Sequence, residues 1–315
     1  MSVESGDTSN PTATQGRAAV IVSGGDAESP FTTPTAACTS GLAAGNTDTA
    51  LRARLLASGH AVFTSPAKEG PGQIESSPGF GGFADGPAAL PAEMTVNAVG
   101  DIDEAGDCLA NFLTYLHQSR AITEICLVGH SMGGLFSRAA IRVLQQRSSP
   151  IRISRLVTIG TPWEGSFAAD YAAGTIDLAM ANGNAVCQTC MQEFRKLEAA
   201  HPHGAGSQVT RSYLDDSGWN TRQAGVLADI PVTLIGGDYI TDPTGSPEVF
   251  PNDGLVQLSS ALAAGVAEAV LPNRVRELIR PDVHSIFFAD RLGIDWQQAL
   301  TWDPVVLDAV ADAIA

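Results

Sequence analysis

Gly129, Ser131 and Gly133 stand in the register Gly-x-Ser-x-Gly, a spacing that can expose a serine for nucleophilic attack. A hydroxyl that must reach a carbonyl carbon has to sit at the tip of a tight turn between a strand and a helix. Such a turn crowds the backbone so closely that glycine is needed two residues to either side. The flanking sequence supplies both elements. Residues 122–128, with Ile122, Ile125, Cys126, Leu127 and Val128, read as a buried strand. Residues 135–147 place Leu135, Ala139, Val143 and Leu144 on one face of a helix. A bare glycine-rich turn in a doubly wound sheet would show the same pentapeptide, and it is the strand before and the helix after that make Ser131 the candidate nucleophile.

A serine hydroxyl is a weak nucleophile at neutral pH and needs an imidazole as base, itself oriented by a carboxylate. In folds built around such a Gly-x-Ser-x-Gly elbow, the acid and then the histidine follow the serine in chain order. Of the six histidines, His284 alone lies after every late strand, in the loop Arg280-Pro281-Asp282-Val283-His284 beyond the strand expected at 273–279. The acid has more than one candidate. Asp253, in Pro251-Asn252-Asp253-Gly254, sits on a tight turn before an apolar stretch and is preferred. Asp238, directly after the strand at 230–236, is its rival, with Asp242 a third choice. Two backbone N–H groups must face the oxyanion; Met132, after the nucleophile, and Gly25, in Ser23-Gly24-Gly25 after the first strand, are the expected donors.

The elements that must position these groups alternate along the chain. Strands are expected at 17–23, 60–65 and 151–159 and helices at 49–58, capped by Asp48, and at 99–118, with acidic residues in its first turns. Residues 66–91 are dense in Gly, Pro and Ser and read as a long surface loop. Alternation of this kind requires crossover connections, and so an α/β fold with a mostly parallel, doubly wound sheet. Residues 163–229 exceed what a simple α/β unit needs and read as an inserted lid or cap, although they could instead complete the core. Trp163 begins that segment directly after a strand and is expected in the substrate pocket.

A chain of 315 residues with 44% hydrophobic content suits one large domain, residues 17–315, behind a flexible polar tail at residues 1–16. Its apolar runs stop short of the roughly 20 residues of a transmembrane segment. A formal charge of −16 disfavours nucleic acid and anionic membrane surfaces as partners. Of five cysteines, Cys126 lies in the strand before Ser131, Cys187 and Cys190 are close enough for a local disulfide, and Cys38 would pair with Cys108 if the protein is exported. Export is modestly favoured, and localisation otherwise stays open. A zinc ion held by Cys187, Cys190, His201 and His203 is disfavoured, because one residue between the histidines is too few for the usual spacing.

Val128-Gly129-His130-Ser131-Met132-Gly133-Gly134, Gly160-Thr161-Pro162 with Gly165-Ser166, Asn252-Asp253-Gly254-Leu255-Val256 and His284 together resemble the lipase and esterase branch of the α/β-hydrolase superfamily. The resemblance spans roughly residues 18 to 290. It implies an α/β-hydrolase fold and hydrolysis of a small-molecule or lipid acyl ester through an acyl-serine intermediate, with no cofactor. Some lipases of this branch bind a structural calcium, but no dense cluster of acids beside His284 argues for one, and no metal is expected. Acyl transfer or thioester hydrolysis would use the same groups, and a non-catalytic binding module on this scaffold is the non-enzyme alternative. Two positions depart from the family pattern: Ser23 stands where a histidine is usual before Gly24, and Trp163 where a histidine follows Gly-Thr-Pro.

Overall fold

The computed structural model describes residues 16–29, 43–74, 90–201, 205–215 and 218–315. Eight strands are found among them: β1 Arg17–Val22, β2 Val62–Thr64, β3 Ala67–Lys68, β4 Val96–Asn97, β5 Glu124–His130, β6 Arg152–Ile159, β7 Val232–Gly237 and β8 Arg274–Arg280. Six of these form one sheet in the order β2-β1-β5-β6-β7-β8, every pair parallel. The first strand, β1, lies one place in from an edge; β2 adds on that edge, and β5 to β8 then build outward to the other. In such a sheet the strand ends on either side of the reversal open a crevice.

The helices are α1 Ala43–Ala57, α2 Ile102–Arg120, α3 Gly133–Gln146, α4 Phe167–Ala172, α5 Ala185–Ala200, α6 Ala205–Gln208, α7 Arg211–Leu214, α8 Leu258–Ala261, α9 Ile286–Leu292 and α10 Pro304–Ile314. One apolar core, including Val20, Leu127 and Leu156 of the sheet, packs against Leu109, Phe112 and Leu113 of α2 and Leu135 and Phe136 of α3. The other face, with Ile21, Val128 and Val157, packs against Leu51 and Leu55 of α1 and Val306 and Val310 of α10. Consecutive residues of β1 and β5 thus feed opposite cores, which is why these strands read as continuous apolar runs. The start of α2 is fixed by Asp101, whose Oδ1 accepts from the N–H groups of Asp103 and Glu104.

Several expectations are corrected. Asp48 does not cap a helix beginning at residue 49; α1 starts at Ala43 and Asp48 lies within it, buried. The described part of residues 66–91 is not wholly loop, since β3 pairs with β4 as a small parallel ribbon. Gly16 is tied down, its carbonyl accepting from the N–H groups of Thr123 and Glu124 at 2.8 and 3.0 Å; residues 1–15 lie outside the described residues. Cys187 and Cys190 form no disulfide. They sit one turn apart on α5, where Cys187 Sγ faces the Asn252 side-chain amide at 3.5 Å. Burial also raises both thiols, Cys187 to about 11 and Cys190 further, which keeps them from the reactive thiolate form. Cys108 is a free thiol too, and its expected partner Cys38 lies outside the described residues. Among the described residues no helix is long and apolar enough to cross a membrane.

Candidate active site

Ser131 stands between the end of β5 and the first turn of α3 with φ at +54°, the left-handed region that costs a side-chain-bearing residue energy and that a nucleophile turn imposes. Its N–H donates to Ile159 O at 2.8 Å, which ties the turn to the end of β6. The need for Gly133 is steric, because a Cβ there would overlap the carbonyl oxygen of Val22. Gly24 is needed for the same kind of reason: a Cβ would lie 2.6 Å from Ser131 Cβ. The β1 loop can therefore pass directly over the serine.

Asp253 is fully buried and spends both carboxylate oxygens. Oδ1 accepts from the N–H groups of Leu255 at 3.0 Å and Val256 at 2.8 Å, while Oδ2 lies 2.7 Å from His284 Nδ1. The preceding Asn252 braces the same turn, its Oδ1 accepting from Gly254 N–H at 2.8 Å. Asp238 has a different place: its N–H donates to Arg280 O at the end of β8. Asp242 is occupied at the surface, accepting from Asn182 Nδ2 and from the N–H and hydroxyl of Thr244, bonds that hold its carboxyl below the usual range. Of the three candidate acids, Asp253 is the one the structure brings to His284.

Ser131 and His284 line one pocket without a hydrogen bond between them. Such nucleophile–base bonds commonly tighten only around substrate. His130, one residue before the serine, steadies the imidazole from the other side. Its Nε2 lies 3.0 Å from His284 O, and the two rings are 4.9 Å apart. A carbonyl acceptor requires that Nε2 carry the proton. Burial, then the neighbouring His284, push the His130 pKa down to about 3, although the bond to the backbone carbonyl works the other way; the ring is neutral. The sequence offered no signal for this role, because position x of Gly-x-Ser-x-Gly is chemically unrestricted.

Met132 and Gly25 both border the cleft beside Ser131. Among the described residues neither backbone N–H is spent on another backbone group. Much of the remaining wall comes from residues 163–229: Phe194 and Leu197 of α5, with Val209, line it together with Leu255 and Val256 of the turn after β7. Trp163 is not part of that wall, contrary to expectation. Its ring is fully buried, its Nε1–H donates to Thr158 Oγ1 at 3.1 Å, and its face lies 4.3 Å from the Arg138 guanidinium carbon. The same guanidinium stacks on Trp219 at 4.7 Å and donates to Asn220 Oδ1 at 2.8 Å. Trp163, Trp219 and Asn220 thus tie the chain after β6 to α3 through Arg138, away from the cleft. Burial draws the Arg138 pKa down to about 9.

Of the possible zinc ligands, Cys187 and Cys190 lie on α5, His201 Nε2 pairs with Glu69 at 2.8 Å, and His203 lies outside the described residues. Among the described residues no cluster of His, Cys, Asp or Glu has the makings of a metal site.

Residues 92–191, which carry α2, β5, Ser131 and α3, match a family model described as "Putative serine esterase (DUF676)". A sequence comparison with curated proteins finds no match. Among solved structures, the mature form of the lipase BlEst2 from Bacillus licheniformis is similar over 91% of this chain and 94% of its own, at 15% identity and a TM-score of 0.50. The metagenomic carboxyl esterase MGS0156 is similar over 100% of this chain and 81% of its own, at 14% identity and a TM-score of 0.52. At such identities the likeness is one of fold: with its parallel sheet and strand–serine–helix turn, the chain has an α/β-hydrolase fold.

Proposed function

We propose that the chain is a serine-dependent carboxylic ester hydrolase. The observation that carries this reading is the buried pair of Asp253 Oδ2 and His284 Nδ1, 2.7 Å apart, in the cleft that also holds Ser131 at φ +54°. With Nδ1–H held by the carboxylate, His284 presents Nε2 as an acceptor. Nε2 takes the Ser131 proton as Oγ attacks the ester carbonyl, and a tetrahedral oxyanion forms against the N–H groups of Met132 and Gly25. Collapse breaks the bond to the alcohol oxygen, which leaves with the proton from His284. Water then attacks the acyl-serine by the same route, giving the acid and free Ser131.

The apolar arm of the cleft beneath α5 suits the acyl chain, with residues 163–229 acting as its cap. Phe194 and Leu197 supply fit, and the chemistry stays on the sheet. The test is labelling with a fluorophosphonate probe, which reacts only with an activated serine. The wild-type protein should be labelled at Ser131 and hydrolyse p-nitrophenyl esters, and Ser131→Ala should do neither while keeping its melting temperature within a few degrees. An unlabelled, inactive wild-type protein would refute the reading.

A further inference from the structure

The cleft has two arms that meet at Ser131. The arm beneath α5 does not include His284. The second arm does, and its wall also holds Ser23, Asp48, Ser285 and Phe287. In an acyl-serine reaction the departing alkoxide takes its proton from the imidazole, so the alcohol part of the ester must lie on the imidazole side. The two arms are thereby assigned by chemistry: acyl chain under α5, alcohol beside His284.

Two carboxylates line the second arm and are left unused by the reaction: Asp26, at the mouth shared with the first arm, and Asp48, which the first arm lacks. Asp48 comes from α1 and is 3% exposed. Its Oδ2 accepts from Ser23 Oγ at 2.6 Å, while Oδ1, equally buried, has no hydrogen-bond partner among the described residues. A buried acceptor without a donor is uncommon and calls for an explanation in a ligand or a function. Burial raises the Asp48 pKa to about 6 against the lowering effects of Ser23 and Arg52, which leaves the carboxyl mostly ionised, an acceptor only, at neutral pH. The positive field of buried Arg52, whose Nη1 donates to Val62 O, already acts on that charge. What Oδ1 lacks is therefore a neutral hydrogen donor rather than a cation. Phe287, Phe288 and Leu255 give the arm an apolar wall opposite its polar groups.

We propose that this arm is the alcohol subsite and that it selects esters whose alcohol carries a second hydroxyl, which donates to Asp48 Oδ1. The proposal rests on the ester-hydrolase reading. A site built around a hydroxyl discriminates strongly against analogues that lack it, because the buried acceptor is then left unpaired.

The experiment compares kcat/KM at pH 7.5 for four butanoate esters: 2-hydroxyethyl, propyl, 2-methoxyethyl, which can accept but not donate, and 2-aminoethyl, which is cationic. The 2-hydroxyethyl ester should exceed each of the other three by about fivefold or more. A smaller margin over the propyl or methoxyethyl ester, or a preference for the ammonium ester, overturns the proposal. Asp48→Ala should bring the hydroxyethyl-to-propyl ratio below about twofold, whereas Ser23→Ala, which keeps the carboxylate, should retain it. Survival of the preference in Asp48→Ala also overturns it. If that variant does not fold, the methoxyethyl comparison on the wild-type protein decides. Fluorophosphonate labelling and p-nitrophenyl butanoate hydrolysis run alongside: labelled, active enzyme without the hydroxyl preference refutes the subsite alone, and unlabelled, inactive protein refutes the ester-hydrolase reading and the subsite with it.

Discussion

His284 is bound to Asp253 twice, through Nδ1 to Oδ2 at 2.7 Å and through its own backbone N–H to the Asp253 carbonyl at 2.8 Å. The main-chain bond fixes where the imidazole starts and the side-chain bond fixes how it turns, so a loop after β8 and a turn after β7 behave as one unit. Asp238, nearer in sequence to the end of its strand, is tied instead to Arg280, by its backbone N–H and by its charge.

The two aspartates should separate cleanly on substitution. Asp253→Asn keeps the shape of the turn but presents an amide to Nδ1, which favours the wrong tautomer, and kcat should fall by about three to four orders of magnitude. Asp238→Asn should stay within about threefold of wild type. Steady-state kinetics on one p-nitrophenyl ester checks both, and a larger loss for Asp238→Asn would reassign the acid.

What the sequence made legible was the part of the site that is local. Gly129, Gly133 and the apolar run before them report the turn around Ser131 because the constraint acts between neighbours in the chain. Chain order was enough to bring His284 forward, and the turn residues around Asp253 marked a fixed carboxylate. The supporting contacts were not legible, because they join positions far apart. Ser23 meets Asp48 across 25 residues, and Asp48, read as a helix cap, lies inside α1 facing the cleft. Trp163 misled through its position: a residue just after a strand end ordinarily faces the ligand crevice, yet this ring turns back onto Arg138. Cys187 and Cys190 are close in sequence, but that closeness does not separate a loop that could close a disulfide from the helix α5, on which both thiols stay free.

His130 gives the protein an acid-side weakness. Its pKa is depressed to about 3 in the folded state against 6.5 as the ordinary value, so between those limits the unfolded chain binds the extra proton. The stability it contributes is whole above pH 6.5 and is lost as pH falls toward 3. Between pH 7 and pH 5 the loss should be about 2 kcal/mol. His130→Gln can still donate to His284 O and does not titrate. Urea unfolding at the two pH values should therefore show the wild-type protein losing about 2 kcal/mol more than the variant. Equal losses would mean that His130 is not held neutral by burial.

The placement of Trp163 behind the cleft, and of Leu197 on its wall, predicts a division between stability and selectivity. Trp163→Ala removes a buried ring and its stacking on Arg138, leaving that guanidinium short of a neighbour, and should cost about 3–5 kcal/mol of unfolding free energy. The variant's relative kcat/KM across a short-to-long acyl series should match wild type wherever it remains folded, because the ring does not border the acyl arm. Leu197→Ala acts in the opposite sense. It is only half-buried at the wall, so its loss should cost little stability while enlarging the space beside the chain. Each methylene of fit is worth about 1–3 kcal/mol, so the optimum should move to a longer acyl chain, and the ratio between neighbouring chain lengths should change by roughly tenfold. A Trp163→Ala protein of normal stability with altered acyl preference would return the ring to the pocket, and an unchanged series in Leu197→Ala would remove α5 from it.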